Sequence, residues 1–209
     1  MTVLSGAVVL FDCDGVLVDS DASVTAAWSR WAVEHELRPA DVVAVVHGRR
    51  SADTVAALIA EPQRATALEL IDRYEVQAAR EVTAVPGARA LLSSMPRGPW
   101  AVVTSGRREL AAARLAAAGL PTPHVIVTAD DVQEGKPDPE GYLAAAAQLG
   151  ADAADAIVVE DSLDGIDAAR AAGVAAVLGV GDRVRDAAPD ALVGDLTGVS
   201  WTGSGLFVA

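Results

Sequence analysis

Cysteine, lysine and aromatic side chains are scarce in this sequence. The single cysteine, Cys13, cannot close an internal disulfide, which excludes a disulfide-stapled scaffold and points to a reducing compartment. Basic residues are outnumbered, with 16 Lys and Arg against 29 Asp and Glu and a net charge of −13. With no basic stripe, the composition argues against nucleic acid and anionic membranes as partners. Aromatics make up only 4% of the chain, so the core must pack mainly through Ala, Gly and Val, which favours layered α/β architecture. No window approaches the ~18 apolar residues needed to span a bilayer. The opening MTVLSGAVVLFDCDG has no positive start and its apolar run breaks at Asp12, unlike a signal peptide. The chain therefore reads as soluble and cytoplasmic. Repeats and low-complexity tracts are also missing. What is present is a chain of 209 residues with 52% apolar content, enough for a real core and too apolar for a disordered acidic tail.

Short apolar runs occur at residues 7–11, 100–103, 124–127, 156–159, 174–178 and 191–193. Runs of this kind suit strands buried on both faces, as in parallel sheets. Ala-rich helical stretches at 108–118, 139–149 and 164–172 separate them and are followed by Gly119, Gly150 and Gly173, where left-handed caps are expected. The alternation predicts βαβ units and a doubly wound, Rossmann-like parallel sheet. One segment departs from it. Between the first two strands lies a block of roughly 65 residues with helical patterns only, far longer than an ordinary connection. Its helices are expected at 23–36, 40–46, 52–60 and 65–80, with Pro86-Gly87 as the return hinge. The fold class is thus an α/β core, residues 1–18 and 86–209, with a small all-helical cap domain at 19–85. In open parallel sheets ligands bind at the carboxyl ends of the strands, and the insert would sit over that edge.

Polar groups collect where the strands should end. Asp12 and Asp14 follow the first run, Thr104 and Ser105 the second, Lys136 the third, and Glu160 and Asp161 the fourth. Each has an ordinary explanation alone: an Asp-rich turn, a helix cap, a solvated loop, a pair serving a helix dipole. Together they lie at one sheet edge. Asp12, Asp14 and Asp161 offer hard oxygens suited to Mg²⁺. Thr104 can donate to phosphoryl oxygens, and Lys136, the only lysine, supplies a positive charge. One aspartate is then free to attack phosphorus.

The motifs FDCDGVLVDS, VVTSG, GKPDPEGY and VVEDSLDGIDAARAAG, in that order, resemble those of the haloacid dehalogenase superfamily across nearly the whole chain. The opening of the insert, DSDASVTAAWSRWAVEHEL, and its loop VVHGRRSADTV are most similar to helical-cap sugar and polyol phosphatases, near the hexitol- and glycerol-phosphatase branch. The resemblance implies an Mg²⁺-dependent phosphatase working through an aspartyl-phosphate. Asp12 would be nucleophile and metal ligand. Asp14 would be general acid and then base, lending its carbonyl to the metal. Thr104, Ser105 and Lys136 would bind the phosphoryl group, and Asp161 and Glu160 would complete the metal set, Glu160 directly or through water. The partner is then a small phosphorylated sugar or polyol, and the enzyme reads as a monomer.

Asp14 disfavours the dehalogenase branch, and a helical block without lysine disfavours the phosphonatase branch. A β-phosphoglucomutase-like mutase is the nearest alternative. Its arginine and histidine positions align with Ser51 and Val24 here, although Arg49 and Arg50 lie close. A phospho-accepting receiver domain also clusters Asp, Thr or Ser and Lys, but lacks a large helical insert. In the cap loop, His47 and Arg49 are the candidate substrate contacts. Trp28 and Trp31 are assigned to packing within the cap, and Cys13 to the core between the two aspartates.

Overall fold

The computed structural model describes residues 1–209. In chain order the elements are β1 (Thr2–Ser5), β2 (Val8–Phe11), β3 (Val18–Asp19), α1 (Asp21–Glu34), α2 (Pro39–Val46), α3 (Ser51–Leu58), α4 (Arg64–Ala78), β4 (Thr83–Ala84) and α5 (Ala88–Ser94). They continue with β5 (Trp100–Val103), α6 (Arg108–Ala117), β6 (Val125–Val127), α7 (Glu140–Gln148), β7 (Ala156–Glu160), α8 (Leu163–Ala171), β8 (Ala176–Val180), β9 (Ala191–Val193), β10 (Val199–Trp201) and β11 (Gly205–Val208).

The main sheet has the order β6-β5-β2-β7-β8-β9, with every pair parallel. Its period-two alternation builds two cores. Val9, Phe11, Val102, Ile157 and Val159 face one layer, while Leu10, Val103, Val158 and Val177 face the other. Each fully buried Val or Leu contributes ~1.5–3 kcal/mol, against a net stability of ~5–15 kcal/mol, so this sheet can offset a costly polar edge. Gly119, Gly150 and Gly173 all take positive φ, ending their helices as the sequence predicts. All six expected strands form, within two residues of their expected bounds.

Two features lay outside that expectation. β1, β10 and β11 form a separate antiparallel sheet, and β3 pairs with β4 where the chain leaves and re-enters the core. β1 is only four residues long and buries Leu4 alone, too little pattern to signal its partner at the far end of the chain. Helices α1–α4 pack on one another through their own apolar cluster, which includes Trp28, Trp31, Ile71 and Tyr74. Trp31 is fully buried and donates from Nε1 to the Ala67 carbonyl at 2.8 Å. The Trp28 and Trp31 rings meet edge to face at 5.2 Å. No helix is long and apolar enough to cross a membrane.

Candidate active site

β2 lies between β5 and β7, where the chain switches from building one side of the sheet to the other, the place such folds bind ligands. In register, Phe11 sits opposite Val102 and Val159. One step further along the strands, Asp12, Val103 and Glu160 therefore form a row across three strands. Lys136, from the loop after β6, closes that row. Its ammonium donates to Asp12 Oδ1 at 2.5 Å, to Glu160 Oε1 at 2.6 Å and to the Val103 carbonyl at 3.3 Å, which uses all three of its protons. Burial works against the lysine charge, but the Asp12 and Glu160 carboxylates hold its pKa well above the usual range.

After Asp12 the chain bends sharply. Leu17 and Val18 both donate N–H to the Cys13 carbonyl, and Gly15 takes φ +75°. A side chain at Gly15 would run into the Asp161 carboxylate. The bend carries Asp14 away from the sheet. Its Oδ1 accepts from Ser20 Oγ at 2.7 Å and its Oδ2 from Arg114 Nη1 at 2.9 Å. Gly15→Ala combines a left-handed strain of ~1–2 kcal/mol with that collision, so it should lower both Tm and turnover. Parallel thermal melts and activity assays would check this, and unchanged values would show that the turn is not so tightly fixed.

Asp12, Asp14, Thr104, Ser105, Asp161, His47 and Arg49 line one cavity beneath the helices. One expected role is corrected there. Glu160 is fully buried, and its Oε2 accepts from the N–H groups of Asp161 and Ser162 and from Ser162 Oγ. Its Oε1 accepts from Lys136 and from Tyr142 OH at 2.9 Å. Adjacent residues at a strand end point to opposite sides, so Glu160 turns inward where Asp161 turns to the cavity. Glu160 therefore holds Lys136, and the expectation that it ligates a metal does not match its surroundings. Arg49 Nε donates to Asp164 Oδ2 at 2.6 Å, while its Nη groups have no protein partner and the residue lines the cavity. Arg50 is engaged with Asp53 and the Gln133 carbonyl.

Ser105 donates its hydroxyl to the Gly48 carbonyl at 2.7 Å, leaving its backbone N–H without a protein acceptor. Thr104 Oγ1 accepts from Gly106 N–H and keeps its own proton available. The His47 ring lies 3.8 Å from Asp21, and burial, aided by Arg183, keeps its pKa below the ordinary value. Cys13 is fully buried in the core, as its alternation predicts.

Negative charge exceeds positive at this edge. Burial pushes the Asp12 carboxyl up to about 7 despite Lys136, with Glu160 and Asp14 adding to the rise. Asp161 is raised well above the carboxylate range by burial and by Glu160 and Asp12, against the pull of Arg183. Asp12 Oδ2 and Asp161 Oδ1 accept no hydrogen bond from the protein. No cluster of three or more acidic, His or Cys side chains converges on one point. A divalent ion here would therefore be held by the two carboxylates with backbone, water or phosphate oxygens. That is the ordinary donor set of Mg²⁺, so the residues fit the ion.

Several site residues escaped the sequence reading: Arg114 on α6, Glu75 on α4, Ser20, Asp21 and Arg183. Arg114 shares the buried face of its helix with Leu110, Ala111 and Leu115, and Glu75 follows Ile71 and Tyr74 on the buried face of α4. Charged residues at apolar-face spacing were the available signal.

The sequence matches the haloacid dehalogenase-like hydrolase family over residues 7–173. It is 44% identical over 172 residues to hexitol phosphatase A of Escherichia coli K12, covering 78% of each chain. It is 37% identical over 204 residues to the validoxylamine A 7'-phosphate phosphatase of Streptomyces hygroscopicus subsp. limoneus, covering 93% of this chain and 96% of that one. A solved hydrolase from Pseudomonas syringae superposes with a TM-score of 0.82 at 26% identity, over 91% of this chain and 94% of the other.

Proposed function

The chain belongs to the haloacid dehalogenase-like hydrolases, and from that premise we propose that it is a phosphoric monoester hydrolase acting on small sugar or polyol phosphates. The observation that carries this reading is the row of Asp12, Val103 and Glu160 closed by Lys136, with Asp14 beside the same cavity. Lys136 fixes Asp12 through Oδ1, and Oδ2 is the oxygen that attacks phosphorus, giving an aspartyl-phosphate. Thr104 Oγ1 and the Ser105 N–H hold phosphoryl oxygens. Asp14 delivers a proton to the departing alkoxide and then takes one from the water that releases phosphate. Asp12, Asp161 and the Asp14 carbonyl are the groups that would hold Mg²⁺, which supplies neutralisation of phosphoryl and carboxylate charge.

Residues 19–85 act in this reading as a cap over the core formed by 1–18 and 86–209. Arg49–Asp164, Arg183–Asp21 and Ser105–Gly48 cross between the two parts, and their closure excludes bulk water. The mutase's arginine and histidine positions align with Ser51 and Val24 here, and Arg50 is engaged by Asp53 and the Gln133 carbonyl, which favours hydrolysis over the mutase reaction. The family match and the helical block between β2 and β5 replace the receiver-domain alternative. Purified protein should release phosphate from p-nitrophenyl phosphate and from hexitol, hexose or glycerol phosphates. Failure on all of them overturns the proposal.

The ion has a test of its own. A ligand at a hundred times its Kd stabilises the folded state by ~2.7 kcal/mol, and each kcal/mol moves Tm by ~2–4 °C in a chain of this size. Saturating Mg²⁺ should therefore raise Tm by ~5–10 °C over EDTA, and Asp161→Asn should remove most of that rise. Equal shifts in the two proteins would place the ion elsewhere.

A further inference from the structure

Asp14 is gripped by a buried arginine that the chemistry above does not use. Arg114 comes from α6 and its side chain is only 3% exposed. Nη1 donates to Asp14, Nη2 lies 3.6 Å from Glu75 Oε1, and Nε has no partner. Glu75 comes from α4, in the helical insert, and is also buried. Its Oε2 accepts from Ser51 Oγ at 2.8 Å, while Oε1 accepts no hydrogen bond. All three residues line the cavity that holds Asp12 and Asp14.

A buried, loosely spaced Arg–Glu pair is poor evidence of stability, because desolvation offsets most of the attraction. Its position says more. A general acid lies ~2.6–3.2 Å from the leaving oxygen, so a guanidinium bonded to that acid stands within a few atoms of the leaving group's carbon chain. There it presents donors, and Glu75 presents an acceptor, 3.6 Å apart. Neighbouring hydroxyls can replace that long contact with two hydrogen bonds, one giving its proton to Oε1 and the other receiving from Arg114.

We propose that Glu75 and Arg114, with Ser51 behind them, form the subsite that reads adjacent hydroxyls of the leaving alcohol. The proposal rests on the phosphatase reading and narrows its substrates to polyhydroxylated phosphates. Sites built to pair with a substrate hydroxyl reject analogues that lack it far more strongly than apolar pockets reject an extra group. Val24 and Trp28 line the same cavity, so the carbon skeleton has an apolar wall.

The experiment compares a hexitol phosphate with hexyl phosphate, an alcohol of the same length without further hydroxyls, with p-nitrophenyl phosphate as reference. The wild type should prefer the hexitol phosphate. Glu75→Gln should lower kcat/KM for it at least tenfold more than for hexyl phosphate, mainly through KM, with Arg114→Lys moving the preference the same way. Equal losses on both substrates would mean that the pair only braces the helices against the core, and would overturn the proposal. So would a wild type indifferent to the hydroxyls. A wild type inactive on all three phosphates would instead bring down the phosphatase reading itself.

Discussion

Asp12→Asn is expected to cut kcat/KM on every phosphate ester by at least ~10⁴-fold, the scale on which removal of a nucleophile is felt. The amide keeps the shape of the carboxylate, and its oxygen can still accept from Lys136. What disappears is the Oδ2 lone pair able to bond phosphorus. The fold should survive, and the pH dependence of stability gives an independent check. Burial raises the Asp12 carboxyl from 3.8 to about 7, so the folded protein binds this proton more tightly than the unfolded chain. Stability from this group is then full below pH 3.8 and is lost as the pH rises through about 7. In EDTA the Tm of Asp12→Asn relative to wild type should therefore climb between pH 5 and pH 8. A constant Tm difference would contradict the buried carboxylate with its raised pKa, and retained turnover would contradict its role as nucleophile.

The second large effect belongs to Lys136→Ala. Its ammonium sits between two buried carboxylates, and removing it leaves both without a counter-charge. Breaking a buried pair in this way costs about 3–5 kcal/mol, or a Tm drop on the order of 10 °C. Turnover should fall by about 10³-fold, because the charge that holds and orients the nucleophile is gone. Thermal melts and assays run well below the variant's own Tm separate the two losses. Near-normal activity in a folded variant would show that the lysine is only a strut for Glu160.

The wild-type arrangement explains why one lysine suffices. Asp12, Val103 and Glu160 come from three neighbouring strands held in register, so one ammonium reaches all three. The motif resemblance implied Asp161 as a metal ligand and Glu160 as a second one, directly or through water. Strand alternation separates them, sending Glu160 inward to Lys136 and Tyr142 and leaving Asp161 at the cavity. The same limit applies to the loop 47–50. Its charges were readable, but that Arg49 meets an aspartate 115 residues away depends on packing.

By itself the sequence determined the main strand positions, the helical block that interrupts them, and the ordered polar groups at the strand ends. These follow from local rules: apolar periodicity, glycine at helix ends, and carboxylates where a parallel sheet finishes. The tertiary structure alone decided how those groups divide their work. The edge sheet of β1, β10 and β11, the inward turn of Glu160, the engagement of Arg49, and the meeting of Arg114 with Glu75 all join residues far apart in the chain. Burial and partner geometry set the charge and reach of each side chain, and both are properties of the folded neighbourhood rather than of any stretch of residues.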